Sequence, residues 1–239
     1  MPLWGWVAGA FCAFFVGMAK TGMPGLGILA VPMMVLAVGD ARKAAGWLLP
    51  ILCCADIFAI YYWRRHAAAG KLFSLAPWVL VGMVMGAFAL QLQEAYLRPL
   101  VGGIVFAMLC LYLWRRYSSA SLAAAPPIAY GTAAGFATTV ANAAGPVMSL
   151  YLLSKRLPQE EFVATGAWFF FIINLLKLPL YASQGMISEA GLRFGAAMIP
   201  AVLLGAVSGK WLIERIPAKA FEWSVIGLTA LSTVLLLRG

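Results

Sequence analysis

The feature that most constrains this chain is a pair of short polar breaks, each set between two strongly apolar runs. The first is Lys-Thr-Gly-Met-Pro-Gly at positions 20–25, and the second is Asn-Ala-Ala-Gly-Pro at positions 142–146. A helix inside lipid cannot leave backbone amides unpaired, so such breaks persist only where protein or a water-filled cavity covers them. Corresponding breaks in two halves of a membrane protein are a good sequence indication of a solute-binding site.

Composition places the whole chain in the membrane. Of its 239 residues 64% are apolar and 10% are charged, a balance that excludes an ordinary soluble domain. The net charge of +9 is attributed to basic cytoplasmic loops rather than to a nucleic-acid interface. The chain has a single histidine, which lies in a loop, and four cysteines, which lie within apolar runs. This pattern predicts neither a metal site nor a cofactor.

Apolar runs of membrane length recur along the chain. Six resemble full spans, at about 44–63, 73–92, 97–114, 162–182, 190–213 and 219–237. The broken regions 3–38 and 128–155 differ, because the run after each break is only about 14 or 10 residues long, roughly 21 or 15 Å as helix. Both regions are predicted to be re-entrant hairpins, although 3–19 is just long enough to cross if it stands upright.

The two halves of the sequence repeat weakly. A shift of 122 positions superposes Lys20 on Asn142, and Pro24 on Pro146. We therefore expect an all-α polytopic membrane protein with one integral transport domain, 1–239. It would contain two inverted-topology repeats, about 3–116 and 127–239, each a broken re-entrant helical hairpin plus three transmembrane helices. Chance alignment of apolar sequence is the alternative explanation.

The distribution of basic residues favours the hairpin topology. If both broken regions begin and end on one side, ten basic residues fall on one face and five on the other, as the positive-inside rule expects. If each region crosses once, the division becomes seven against eight. An odd number of crossings then inverts the second half, and the two breaks approach the membrane middle from opposite faces.

Backbone chemistry predicts an anion site at the breaks. Pro24 and Pro146 suit the first turn of a helix, where no N–H is needed. Gly22, Gly25 and Gly145 allow the backbone to bend and a solute to approach closely. Each short second helix would begin near mid-membrane and point its free N–H groups and positive dipole end at the solute.

Polar side chains beside the breaks would complete this site. Lys20 is buried at a cost that an anion or a carboxylate would offset, unless it extends to the interface. Thr21, Thr138, Thr139 and Asn142 supply hydroxyl and amide donors. The alternatives are local hydrogen bonds within the helices for the threonines and a structural role in the break for Asn142.

Other intramembrane residues are candidates for coupling or for the solute pathway. Asp56 could carry a coupling proton or make a structural polar contact, and Lys177 could attract anions or extend to the interface. A direct pair between these two is not expected, because their predicted depths differ by roughly 10 Å. Asn174 is a pathway candidate, and Trp47 and Trp168 are candidates for an aromatic gate, with ordinary packing as the alternative.

Three extended motifs resemble one known family. GMAKTGMPGLGILAVPMM, ANAAGPVMSLYLL and ATGAWFFFIINLLKLPLY, in this order, resemble the sulfite exporter TauE/SafE family of membrane transporters. The resemblance covers nearly the whole chain. It implies transport of small sulfur-containing or organic anions such as sulfite, sulfoacetate or related sulfonates. Many members have a more glycine-rich break in each half.

The sequence therefore predicts a secondary transporter in a bacterial inner membrane. It would move a small anion by alternating access to a mid-membrane site formed by the two broken hairpins. An anion channel on the same scaffold is the alternative. An enzyme is not expected, because the chain has one loop histidine and no zinc or paired-aspartate motif. The expected partners are the anionic solute and the bilayer, with a coupling proton and a homodimer also compatible, and no nucleic acid.

Overall fold

The computed structural model describes residues 2–23, 26–64, 66–67, 69–89, 94–117 and 126–238, and these residues are helical with short connections. Pro24 and Gly25 lie outside the described residues. The α-helices follow in chain order: α1 Leu3–Thr21, α2 Ala30–Val38, α3 Ala41–Trp63, α4 Ala69–Phe73, α5 Ala76–Ala89, α6 Glu94–Tyr117, α7 Pro127–Ala141, α8 Ala144–Ser154, α9 Gln159–Ser183, α10 Glu189–Ala197, α11 Ile199–Ile213 and α12 Ala218–Arg238.

Helices occupy the positions of the predicted spans, with two interruptions that the sequence analysis did not anticipate. The predicted span 190–213 is the pair α10 and α11, which is bent by 48° at Met198. The predicted span 73–92 is interrupted near its start by a turn at Ser74 and Leu75, which separates α4 from α5. Within the described residues, three helices are long and apolar enough to cross a membrane, or four if the bent pair is one span.

Both predicted breaks are present as interruptions between helices. After α1 the chain continues into a short 3-10 segment, Leu26–Leu29, that leads into α2. After α7, Asn142 adopts a left-handed conformation with φ of 51°, and its N–H donates to the carbonyl of Thr138. This is the hydrogen bond of an αL helix end, and asparagine tolerates the conformation better than most residues.

The chain forms two compact units, and each draws on both halves of the sequence. The first unit comprises 1–67 and 159–217, and the second comprises 68–158 and 218–239. In the first unit α3 lies against α9, with Leu49 packed on Tyr181 near one end and His66 beside Glu160 at the other. The two helices therefore run antiparallel.

The core of the first unit is built by α1, α2, α3 and the bent pair α10 and α11. Its fully buried side chains include Cys12, Met34, Leu48 and Ile51, and Phe194 closes one end. In the second unit α5 packs against α7, and α6 against α12. These apolar contacts hold the broken helices in place within their units.

One local arrangement occurs twice, once in each unit. Thr21 Oγ1 donates to the carbonyl of Gly17 at 3.0 Å, and Thr139 Oγ1 donates to the carbonyl of Gly135 at 2.9 Å. Both threonines are fully buried, and the two glycine–threonine pairs are 118 positions apart.

The glycines of these pairs also make equivalent contacts with a neighbouring helix. A Cβ atom at Gly17 would collide with the carbonyl of Val202 on α11, and one at Gly135 would collide with the carbonyl of Val79 on α5. Only glycine permits backbones to approach this closely. A sequence shift of 118 positions therefore superposes the packing residues of α1 on those of α7. This shift differs by about one helical turn from the shift of 122 positions that aligns the breaks.

Candidate functional site

Three helices of the first unit, α1, α3 and α9, pack on one another and bring polar side chains together in the apolar interior. Asp56 is 0% exposed, Asn174 is 2% exposed and Lys177 is 1% exposed. The side chain of Lys20 is 11% exposed. Since buried polar groups in a membrane segment are costly, such a cluster is the default candidate for a functional site. We refer to these four residues as the lysine–aspartate cluster.

An ion pair lies at the centre of the lysine–aspartate cluster. Lys20 Nζ is 2.7 Å from Asp56 Oδ1, and it also lies 4.0 Å from the centroid of the Phe170 ring. Asn174 Nδ2 donates a hydrogen bond of 2.6 Å to Asp56 Oδ2. Both carboxylate oxygens therefore face a donor, and the ammonium group is held between a negative charge and the negative face of an aromatic ring.

Lys177 adds a second amino group to the cluster. Its Nζ lies 5.7 Å from the centroid of the Tyr181 ring, and the charges of Lys177 and Lys20 both act on the Asp56 carboxyl. When Lys20, Lys177 and Asp56 are all ionised, their two positive charges and one negative charge leave a net positive charge. Such a region of low dielectric attracts anions.

Lys20 is positioned by the end of α1. It lies in the last turn of that helix, where a positive charge interacts favourably with the helix dipole. The backbone that follows is covered by protein, because Trp63 Nε1 donates to the carbonyl of Thr21 at 2.9 Å and a Cβ at Gly22 would collide with the Gly209 backbone. The break is thus sealed on these sides.

The threonines at the helix ends are engaged locally. Besides Gly17, the Thr21 hydroxyl lies 2.7 Å from the carbonyl of Ala206 on α11. Its single proton is occupied by backbone carbonyls, as is that of Thr139. These contacts are the alternative that the sequence analysis left open, and they place both hydroxyls in helix packing.

The remaining candidates at the second break belong to the second unit. Asn142 ends α7 by its left-handed backbone, and Pro146 lies in the first turn of α8, as its lack of an N–H predicts. Thr138 is buried. A Cβ at Gly145 would meet no other atom within 4 Å, so this part of the first turn is open. The prediction that the two breaks face one another stays a prediction.

The two candidate gate residues have contacts of their own. Trp47 Nε1 donates to Ser188 Oγ at 3.1 Å, and its ring packs against Phe194 with centroids 5.3 Å apart. Trp168 lies edge-on to Phe171, with ring centroids 6.3 Å apart. Both sets of contacts are ordinary packing, and the paired gate stays a prediction.

The ion pair gives Lys20 and Asp56 partners that the sequence alone did not identify. Lys20 was expected to meet an anion or a carboxylate, and the structure supplies the carboxylate. Neither Lys20 nor Lys177 extends to an interface, because both head groups lie inside the unit. Trp63, which covers the first break, was not singled out from the sequence; its indole in an otherwise apolar run is the signal that could have found it.

The chemistry available at the lysine–aspartate cluster is charge binding and proton transfer. It offers two ammonium groups, one carboxyl and one amide. No group of three histidine, cysteine, aspartate or glutamate side chains is arranged to hold a metal ion in the parts of the chain that the structure describes.

Comparison with known proteins adds a family to this geometry. A family model described as "Sulfite exporter TauE/SafE" matches residues 9–236. Searches of curated proteins and of solved structures found no match. The matched range includes all four residues of the lysine–aspartate cluster.

Proposed function

The chain belongs to the sulfite exporter TauE/SafE family, and we propose that it is a secondary transporter of a small sulfur oxyanion or organosulfonate. Transport of sulfur anions such as sulfite is what membership of this family implies. The observation that carries the proposal for this chain is the lysine–aspartate cluster, in which Lys20 pairs with a buried carboxylate beside a broken helix and a second lysine, Lys177, is buried in the same unit. The lysines would attract the negative charge of the solute into the membrane interior.

The anion binds at Lys20 in this proposal. Lys20 is the residue of the cluster nearest the break, and it retains partial exposure while Asp56 and Lys177 are fully enclosed. Pro24 and Gly25 at the first break, and Gly145 and Pro146 at the second, complete the predicted set.

Alternating access between two inverted repeats moves the anion. Three observations support this: a helix is interrupted at each predicted break, the glycine–threonine contact occurs in each half, and the corresponding helices α3 and α9 run antiparallel. Repeats of this kind rock or slide around a site near mid-membrane. The expected location is the inner membrane of a bacterium.

Binding of candidate anions tests this function directly. The purified protein is heated with sulfite, sulfate, thiosulfate or sulfoacetate, and the midpoint of thermal unfolding is compared with that of the anion-free protein. We expect at least one of these anions to raise the midpoint, because a ligand that binds only the folded state stabilises it. Lys20→Met should abolish this increase.

The control is Lys43→Met, because Lys43 is an exposed lysine near the start of α3. It should leave the anion-dependent increase unchanged, which separates a specific site from a general effect of positive charge. If none of the four anions raises the midpoint, or if Lys20→Met responds as the wild type does, the proposed site is wrong.

Flux through proteoliposomes distinguishes a carrier from the alternative, an anion channel. A carrier accelerates uptake of labelled anion when unlabelled anion is trapped inside, because exchange does not require the empty site to return. A channel gives currents driven by voltage and no such acceleration. We expect the accelerated exchange.

A further inference from the structure

We propose that Asp56 is a tethered counter-ion that occupies the place of the transported anion on Lys20, and that a singly charged anion displaces it together with one proton. This inference rests on the proposed function and adds its coupling. The transported species is then a monoanion, such as a sulfonate or hydrogensulfite, accompanied by a proton that resides on the Asp56 carboxyl.

The geometry of the pair leads to this inference. One oxygen of Asp56 lies 2.7 Å from Lys20 Nζ, a distance at which an oxyanion oxygen would also bind. The carboxylate and an incoming anion therefore compete for the same ammonium group. Because Asp56 is fully buried on a helix and cannot reach water, the displaced carboxylate would be left with an uncompensated charge.

A proton removes this difficulty and keeps the buried charge constant. In the resting cluster, the Lys20 ammonium group and the Asp56 carboxylate cancel. When Asp56 is protonated and one monoanion binds Lys20, the charges at this pair again sum to zero. A monoanion without the proton would leave one net negative charge and place two anions side by side, which is unfavourable at short distance in a low dielectric.

Asn174 is suited to both states of Asp56, and we assign it as a positioning residue. Its Nδ2 donates to Oδ2 of the carboxylate in this structure. After protonation, rotation of the amide would present its oxygen to accept a hydrogen bond from the carboxylic acid. An asparagine can therefore hold Asp56 in place before and after the proton arrives.

The surroundings of Asp56 contain few other groups that could titrate in its place. From its own helix the neighbour is Cys53, and α2 carries no charged or titratable residue. The charged residues of α10 form the surface pair Glu189 and Arg193. On α11, Lys210 pairs with Glu214 at the end of the helix.

Lys20 from α1 and Lys177 from α9 are the charged groups that act on the Asp56 carboxyl among the residues that the structure describes. Lys20 is paired with the Asp56 carboxylate as an ammonium ion and cannot accept the proton in that state. Asp56 is thus the member of this pair that takes up a proton when the anion arrives, and the pH dependence of Asp56→Asn distinguishes it from Lys177.

Proton uptake on binding tests the proposal without any substitution. Calorimetric titrations of the wild-type protein with methanesulfonate are repeated in two buffers of different ionisation enthalpy. The difference between the observed enthalpies gives the number of protons bound per anion. Methanesulfonate is used because it carries a single negative charge and does not titrate near neutral pH, so any proton taken up belongs to the protein.

We expect about one proton per anion and an affinity that falls about tenfold for each unit of rising pH above the titration of the carboxyl. No proton uptake, with an affinity independent of pH, would overturn the proposal while leaving the proposed function intact. This outcome distinguishes the two claims.

Asp56→Asn provides the second arm, because asparagine has nearly the same shape but no charge. It leaves Lys20 without its tethered carboxylate, so a free anion should bind more tightly than to the wild type, and the affinity should no longer depend on pH. Asn174→Asp is the matched variant, because it adds a carboxylate beside the existing one and should weaken anion binding.

Each remaining outcome decides the matter. Tighter binding of methanesulfonate to Asp56→Asn than to the wild type, with no dependence on pH, supports the tethered counter-ion. Equal affinity and equal pH dependence in the two proteins would overturn it. Failure of both proteins to bind methanesulfonate or any of the four anions would overturn the proposed function and this inference together. If Asp56→Asn does not fold, the proton count of the wild type decides alone.

Discussion

Replacing Lys20 by methionine is expected to destabilise the first unit strongly. Methionine keeps the length of the side chain but removes the ammonium group that lies 2.7 Å from the buried Asp56. Removing one partner of a buried ion pair costs about 3–5 kcal/mol. Because Lys177 still acts on the carboxyl, we expect the lower end, about 3 kcal/mol of unfolding free energy.

This loss is large enough to measure by heat. For a chain of this size, 1 kcal/mol lowers the midpoint of thermal unfolding by roughly 2–4 °C. Lys20→Met should therefore lower the midpoint by roughly 6–12 °C. Thermal unfolding is followed by tryptophan fluorescence of the protein in detergent. The double variant Lys20→Met/Asp56→Leu should recover most of the loss, because an apolar pair has no charge to desolvate.

The control is the surface pair on α10. Arg193 and Glu189 are 79% and 78% exposed, so Arg193→Met should change the midpoint by a degree or two at most. If Lys20→Met unfolds within about 2 °C of the wild type, or if the double variant is less stable than either single variant, the buried ion pair does not hold the cluster together.

Substitutions at four further positions test the helix ends and the packing beside them. Gly17→Leu should prevent α1 from packing on α11 and should abolish the folded protein in gel filtration, whereas Gly145→Ala, with open space around it, should fold normally. Trp63→Phe removes the donor to the Thr21 carbonyl and should cost about 1 kcal/mol of unfolding free energy by thermal denaturation. Asn142→Gly should be tolerated, while Asn142→Val should lower the midpoint, because a β-branched residue disfavours the left-handed conformation; equal midpoints would contradict this.

The breaks could be predicted from the sequence because they depend on local chemistry. Glycine and proline between apolar runs are incompatible with a continuous helix, and both helices end at those positions. The second break is shorter than predicted, since α8 begins at Ala144 and includes Gly145 and Pro146 in its first turn. Proline at this position removes no helical hydrogen bond, so it does not delay the helix.

The relation between α1 and α7 was harder to predict, because the prolines after the breaks suggested a different alignment. Helix packing selects the residues that face a neighbour, and these are Gly17 and Gly135. The shared pattern, Gly-Met-Ala-Lys-Thr against Gly-Phe-Ala-Thr-Thr, is a sequence signal that could have found the 118-position shift. It superposes Lys20 on Thr138 instead of on Asn142.

The lysine–aspartate cluster could not be derived from the sequence, because it requires knowing which helices meet. Lys20 and Asp56 are 36 positions apart, and Asn174 is 118 positions beyond Asp56. Depth along the membrane argued against a pair between Asp56 and Lys177 but gave no reason to choose Lys20. That choice follows from the packing of α1 against α3 and α9.

The most direct test of the account is a structure determined with perrhenate, a heavy tetrahedral oxyanion with a single negative charge, whose anomalous signal locates it independently of the protein. The account predicts a rhenium position with an oxygen within hydrogen-bond distance of Lys20 Nζ, and Asp56 withdrawn from that ammonium group. A rhenium position elsewhere in the protein, with the Lys20–Asp56 ion pair unchanged, would contradict it.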